Sequence, residues 1–384
     1  MGPRDGTTGT RGSPLREVAA VMTKIGIIGF GGPAAHIALM RDEMVSKRHW
    51  LPEREFLDLL GSASALPGPT STQLSMLLSK RRAGWRGLLV GGCCFITPAM
   101  LIVLAVAVAY VHWGTTVAGS GLLYGIKPVV IAIVATALLG LLRVAVQGRT
   151  LLAMGTVIAL LLYLSNGNAL AALFGVAAAL MLVDNVRRIT TGTVSVAPVL
   201  LLAAHVRAPR PPRLVAVFLE FLKLGTIVFG SGYVLLAFLR RDLVVDAHWI
   251  STRQLLDAAS VGQFTPGPVF TTATFVGYLV GGLPGALLAT LGIFLPSFAL
   301  MTAIAPVVPR LRRSPWSASA LDGLNAAAVG LMGGVTIDLG RAALVDGITV
   351  AIALGAFALL LTRRANSFVL IAIGGLIGLA HALA

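Results

Sequence analysis

Apolar runs recur over residues 87–111, 121–142, 151–164, 169–183, 283–308 and 347–361, with most charged positions gathered in short clusters between. As a helix, 87–111 would reach about 37 Å, enough for a hydrocarbon core of about 30 Å. Barrel strands would instead alternate over about ten residues. The pattern therefore predicts an all-α polytopic membrane protein. Two phrases interrupt it with glycine and proline inside apolar surroundings: Gly29-Phe30-Gly31-Gly32-Pro33, and Ala65 to Gln73 around Pro67-Gly68-Pro69.

Both phrases recur half a chain later. Under a slide of 199 positions Lys24 meets Lys223, Phe30 meets Phe229, Gly31 meets Gly230, and Arg41 meets Arg240. His49-Trp50 meets His248-Trp249, Asp58 meets Asp257, Pro67-Gly68-Pro69 meets Pro266-Gly267-Pro268, and Thr72 meets Thr271. After one deletion Pro98 meets Pro296, Gly125 meets Gly323, and Arg143 meets Arg341. Such coincidence marks a tandem duplication. The expected organisation is a disordered cytoplasmic tail (1–16), a first repeat (17–188), a linker (189–213) and a second repeat (214–384). The segment after the tail reads as a permanent helix and not a signal peptide.

Loop charge fixes the relative orientation. Lys80, Arg81, Arg82 and Arg86 follow the second hydrophobic element, whereas the matching 281–285 is uncharged. The next loop, 112–120, lacks Lys and Arg, while its counterpart carries Arg310, Arg312 and Arg313. Arg143 and Arg149 face a single Arg341, the uncharged 165–168 faces Arg363 and Arg364, and Arg187 and Arg188 face a tail without Lys or Arg. Because basic loops stay on the cytoplasmic side, this alternation predicts two inverted-topology repeats with broken helices or helical hairpins. Inversion needs an odd number of crossings before the second half. Six per half plus 193–206 would give thirteen, but would strand Arg207, Arg210 and Arg213 on the wrong side. Hairpins that enter and leave from one side relieve that problem.

Composition agrees: 57% of residues are apolar and 12% charged, about half the charge of a soluble domain, with mean hydropathy +0.89. The net charge of +15 sits in loops, so no nucleic-acid partner is expected. Cys93 and Cys94 are neighbours and form no disulfide framework. No metal, hydrolase or nucleotide motif is present, so neither enzymatic activity nor a cofactor is expected.

The candidate chemistry lies at the breaks. Pro67-Gly68-Pro69 cannot continue a helix, so Thr70, Ser71, Thr72 and Gln73 should open a new one. Its first turn offers free N–H groups and the positive end of a dipole, an anion site. The second half repeats it with Pro266-Gly267-Pro268, Thr271 and Thr272. Inverted repeats would aim both ends at one point. The alternative is a kinked packing helix whose hydroxyls bond back to the preceding turn. Gly31, Gly32, Pro33 and Gly230 form the second candidate break, with close helix packing as the alternative. Lys24 and Lys223 either face the anion path or are neutralised, Lys24 by snorkelling and Lys223 by Glu220. Lys127, opposite Asn325 in the repeat, either coordinates the anion or marks the membrane edge. Arg41 and Glu43, with Arg240 and Asp242, read as gating salt bridges or as ordinary exposed pairs. His36 has no repeat partner, and His49-Trp50 and His248-Trp249 read as interfacial anchors. The remaining Asp and Glu residues are expected in loops.

The phrases "FGGPAAHIALMRDEMV", "RHWL", "FLDLLGSASALPGPTSTQ" and "RRAGWRG", with "FGSGY", "FTPGPVFTTATFVGYLVGG" and "GIFLPSF", resemble the chromate transporter family, long two-domain type. The resemblance covers nearly everything beyond residue 16. It implies export of chromate across the inner membrane of a bacterium and chromate resistance, with sulfate as the structural mimic. It carries motif roles onto Phe30, Gly31, Gly32, Pro33, His36, Arg41, Glu43, Pro67, Gly68, Pro69, Thr70, Gln73, Phe229, Gly230, Pro266, Gly267, Pro268 and Gly277. Ser79-Lys80 and Ser231 depart from the family pattern and leave substrate preference open. The expected partners are chromate, sulfate, membrane lipid and a second copy in a homodimer. A carrier of sulfate or another anion, or a non-transporting membrane enzyme or sensor, are the alternatives. A dianion leaving a negative cytoplasm gains about 2.3 kcal/mol per charge per 100 mV, so membrane potential, protons or both could drive export. Reporter fusions at Arg82 and Gly282 should report opposite sides of the membrane; signals from one side would exclude inversion.

Overall fold

The computed structural model describes residues 13–114, 116–146, 150–165, 169–189, 214–229, 232–303, 314–362 and 365–384. The tail, the segment 193–206, Gly230, Ser231 and the arginines at 149, 207, 210, 213, 310, 312, 313, 363 and 364 lie outside the described residues.

The first repeat folds as α1 (Pro14–Ile28), α2 (Gly32–Arg41), α3 (Glu53–Ser64), α4 (Thr70–Trp113), α5 (Val117–Val146), α6 (Thr150–Leu164) and α7 (Ala169–Ile189). The second repeats the order as α8 (Leu214–Ile227), α9 (Val234–Leu239), α10 (Thr252–Phe264), α11 (Thr272–Ala303), α12 (Pro315–Ala343), α13 (Gly347–Leu361) and α14 (Ser367–Leu383). Irregularities repeat too. A π-helical turn follows both α2 and α9, at Asp42–Lys47 and Arg240–Asp246. His49 and His248 end these turns with φ of 50° and 53°.

α4 and α11 are folded back on themselves. Gly84 has φ 65°, ψ −158° and Gly282 φ 60°, ψ −151°, a region essentially restricted to glycine. Thr274 and Thr290 lie sixteen positions apart, about 24 Å along a straight helix, yet their hydroxyls hydrogen-bond at 2.7 Å. Ser79 and Gly87 close the first-repeat hairpin: a Cβ on Gly87 would sit 2.2 Å from the Ser79 carbonyl oxygen. The outgoing arm of α4, 85–113, is about 43 Å long and still crosses the membrane.

The segments before that arm do not cross. α1 enters and α2 returns, because Trp50 Nε1 donates to Glu17 at 3.0 Å and Arg48 reaches the same carboxylate at 3.3 Å. α3 enters and the first arm of α4 returns, because Arg82 meets Glu17 at 2.6 Å and Arg81 meets Glu55 at 2.5 Å. The first repeat therefore has two hairpins dipping in from one base, as the hairpin alternative allowed; six crossings per half is corrected. Returning hairpins also keep Arg41, Lys47 and Arg48 at the base with Arg81 and Arg82, as loop charge requires. Among the described residues, α4, α5, the Val269–Ala303 stretch and α12 contain spans long and apolar enough to cross, with shorter apolar helices beside them.

The far end of α4 locates the second base. Tyr110, about 37 Å along that arm from residue 85, donates to Asp257 of α10 at 2.8 Å. α10 thus enters from the side opposite the first base, which is the inversion read from loop charge. The halves are also interlaced. α5 packs on α13 and α14 of the second repeat, while α12 packs on α6 and α7 of the first. Tyr124 donates to Asp346, the cap of α13, at 2.6 Å. The Thr349 N–H, helped by Tyr124, holds the Asp346 carboxyl below the usual carboxylate range. Its cap is therefore lost only as pH falls through that lowered value.

Substituting Gly84→Ala or Gly282→Ala should cost about 1–3 kcal/mol through the forced backbone. Gly87→Leu should cost a similar amount, about 1–3 kcal/mol, through overpacking against the opposite arm. Thermal unfolding in detergent measures both, and unchanged midpoints would exclude the folded-back hairpins.

Candidate functional site

The hairpin tips meet at the centre. Gly68 donates its N–H to the Val228 carbonyl at 2.7 Å, and Gly267 donates to the Gly29 carbonyl at 2.9 Å. These are one contact made twice, since Gly68 matches Gly267 and Gly29 matches Val228 in the 199-residue register. Both donors have positive φ, 118° and 87°. A Cβ on Gly68 would sit 2.5 Å from Ser297 Oγ and from Gln73 Nε2, and one on Gly267 would sit 2.6 Å from the Ala99 Cβ. Glycine is needed at both places for conformation and for space.

Beyond the tips the halves differ. After Pro69 the first ladder bond runs from Gln73 N–H to Pro69 O at 3.0 Å, so the amides of Thr70, Ser71 and Thr72 precede the ladder. No side chain caps them. Ser71, Thr72 and Gln73 are buried. Thr72 Oγ1 and Gln73 Oε1 have no hydrogen-bond partner. Gln73 Nε2 donates to Pro67 O at 2.5 Å and reaches Ser297 Oγ at 3.5 Å. Ser71 Oγ lies 3.3 Å from His36 Nδ1, and His36 Nε2 is 2.8 Å from Gly29 O. His36 thereby ties the two first-repeat tips together, a role that its lack of a repeat partner concealed.

In the second repeat a 3₁₀ turn, Val269–Thr271, tightens the helix start. Thr271 Oγ1 donates to Pro268 O and Thr272 Oγ1 to Val269 O, each at 2.7 Å. Their hydroxyl hydrogens are therefore spent on the preceding turn. Pro266, Gly267 and Pro268 are buried at the junction, as are Gly32, Gly68 and Pro69; Pro67 and Pro33 are half-buried, and Gly31 is exposed.

The intramembrane lysines are paired. Lys24 Nζ contacts Glu43 at 2.6 Å and Lys223 Nζ contacts Asp242 at 2.8 Å. These pairs also coincide in register, Lys24 with Lys223 and Glu43 with Asp242. Each joins the two arms of one hairpin through its π-helical turn. Glu220 also pairs with Lys223. Arg41 and Arg240 do not pair with Glu43 and Asp242; they reach Glu53 at 2.7 Å and Asp338 at 3.2 Å.

Lys127 is buried and meets buried Asp257 at 2.7 Å, while Asn325 is exposed. The membrane-edge alternative for Lys127 therefore fails. The expectation that the remaining acidic residues sit in loops is corrected for Asp257, which lies on α10 and is buried. Asp257, Tyr110 and Ser297 were not singled out beforehand. The available signal for Asp257 was its match to Asp58, nine positions ahead of the second Pro-Gly-Pro as Asp58 is of the first.

The family described as chromate transporter matches residues 16–183 and again 215–379. The chain is 31% identical over 371 residues to the chromate transport protein of Cupriavidus metallidurans, covering 95% of this chain and 92% of that one. It is 32% identical over 338 residues to the probable chromate transport protein of Synechococcus elongatus, covering 86% of each. To the chromate transport protein of Pseudomonas aeruginosa it is 29% identical, covering 97% of this chain and 94% of that one. No solved structure matches. With both repeats matched and relatives aligned nearly end to end, this chain belongs to the chromate transporter family.

Proposed function

We propose that this chain exports chromate across the cytoplasmic membrane of a bacterium, conferring chromate resistance, with the anion bound at the junction of the hairpin tips. The repeats doing so are taken as 17–188 and 214–384. The supporting observation is the first turn of α4. Three amides precede the helical ladder there, beside the buried and unpartnered Thr72 hydroxyl. A tetrahedral oxyanion presents acceptors on every side and would take these donors together with the positive end of the helix. A buried hydroxyl without a partner is costly, and a ligand is one explanation for keeping it.

In this reading Lys24–Glu43 and Lys223–Asp242 are the gates. Each carboxylate holds a lysine that a passing dianion would otherwise attract, and the inverted register places one gate toward each side. Arg41–Glu53 and Arg240–Asp338 anchor the outer ends of the same hairpins. With the cytoplasm negative, outward movement of a divalent anion gains about 4.6 kcal/mol per 100 mV if no other charge moves.

Purified protein in liposomes tests this. Uptake of labelled chromate through inside-out molecules should rise with an inside-positive potential, and excess sulfate should compete if the site reads only tetrahedral geometry and charge. Pro67→Ala/Pro69→Ala and Pro266→Ala/Pro268→Ala variants that still insert should lose flux. Wild-type flux in both would sink the site.

Thr72→Val separates stability from binding. The hydroxyl makes no protein hydrogen bond, so the melting temperature should hold or rise. Chromate affinity should fall roughly 10- to 100-fold, the worth of about 1.5–3 kcal/mol for a hydrogen bond to a charged group.

A further inference from the structure

Lys127, Asp257 and Tyr110 form a buried polar cluster from three helices and both repeats. Lys127 Nζ lies 2.7 Å from one Asp257 oxygen, and the Tyr110 hydroxyl donates to the other at 2.8 Å. The Asp257 side chain is 1% exposed and that of Lys127 11%. Ionised groups at such depth are expensive and rarely kept for packing alone. Among the described residues the cluster also occurs once: the repeat counterparts Asp58 and Asn325 are both exposed. The tip bonds, folded-back arms and Lys24-type pairs are all served twice, so this cluster answers a need that shared packing does not create.

Few other charges face Asp257 from the helices against α10. α4, besides Tyr110, carries His112, exposed and bonded to its own Val108 carbonyl at 2.8 Å, and Lys80, Arg81, Arg82 and Arg86 at the opposite base. α9 and α11 carry none, Tyr278 being the only titratable group on α11, and α14 carries only His381, stacked on Tyr124. Beside α10 in the π-helical turn, Arg240 pairs with Asp338, Arg241 with Asp246 and Asp242 with Lys223. α12 carries Asp322 and Arg341 besides Asp338, and α5 carries Arg143 besides Lys127. Arg253 lies one turn before Asp257 on α10 itself. Lys127 is the one cation in contact with the Asp257 carboxylate among the described residues.

We propose that Asp257 is a proton-binding site linked to the anion at the tips, so that each divalent oxyanion crosses with one proton. The inference rests on the transport reading above. α10 runs from Asp257 directly into the Thr265-to-Pro268 tip, eight residues or about 12 Å away. A dianion at the tips draws the Lys127 ammonium toward itself. Asp257 then loses its counter-charge while remaining in apolar surroundings, where a carboxylate takes up a proton from water. Tyr110 keeps the vacated carboxyl oriented. By linkage the protonated site binds the anion more tightly to the same degree. The moving unit carries one net charge instead of two.

The test is the reversal potential of chromate current in proteoliposomes. In the parent, a tenfold chromate gradient should balance at about 59 mV, and a pH gradient should shift that balance. In Asp257→Asn the same gradient should balance at about 30 mV, two charges per anion, with no response to pH. If a lone Lys127 prevents folding, the charge-free Lys127→Gln/Asp257→Asn pair should give the same pH-blind balance. A pH response that survives either substitution, or that the parent lacks, overturns the proposal. Infrared difference spectra of the reconstituted protein decide it without transport. A protonated-carboxyl band should grow as pH falls, strengthen with sulfate and vanish in Asp257→Asn. A parent that carries no chromate yet shows this band would sink the transport reading and keep the proton site; a parent without the band would sink the proton site alone.

Discussion

Two backbone hydrogen bonds hold the architecture together: Gly68 to Val228 and Gly267 to Gly29. A helix broken in mid-membrane exposes N–H and C=O groups that lipid cannot satisfy, and each such group costs several kcal/mol. Here each break lends its donor to the opposite repeat and takes an acceptor there. Neither half can complete its own tips. The interlacing of α5 with α13 and α14, and of α12 with α6 and α7, follows the same logic on a larger scale.

That constraint leaves little freedom around it. Gly68 and Gly267 must adopt positive φ to aim their amides across the interface. The arms behind them must return to their own base, which requires the reversals at Gly84 and Gly282. Hairpins bring polar residues below the surface, so charge must be neutralised locally. Lys24 with Glu43, Lys223 with Asp242, and Lys127 with Asp257 do this. Pairs that neutralise buried charge cheaply at rest can also exchange partners when an anion arrives, and the gating and proton readings share that physical basis.

The two halves part where the second helix starts. The first repeat leaves the Thr72 hydroxyl unpartnered, whereas a 3₁₀ turn in the second spends the equivalent Thr271 hydroxyl on Pro268. A site placed on a pseudo-symmetry axis need not be symmetric, and here the donors lie mainly on one side of it. Asp257 and its exposed counterpart Asp58 carry the same lesson.

Sequence by itself determined the membrane class, the duplication, the inversion and the positions of the breaks. Each is encoded locally, in apolar run length, in register, in loop arginines, and in Pro-Gly-Pro triplets that a helix does not run through. Tertiary structure decided which segments return and which cross, because a Gly84 reversal and a plain helical glycine look alike in a string of letters. It also decided the partners of the charges. Lys24 and Glu43 are nineteen residues apart, and Lys127 and Asp257 lie in different repeats. Only the fold brings such groups within contact, and electrostatic pairing depends on that distance far more than on residue type.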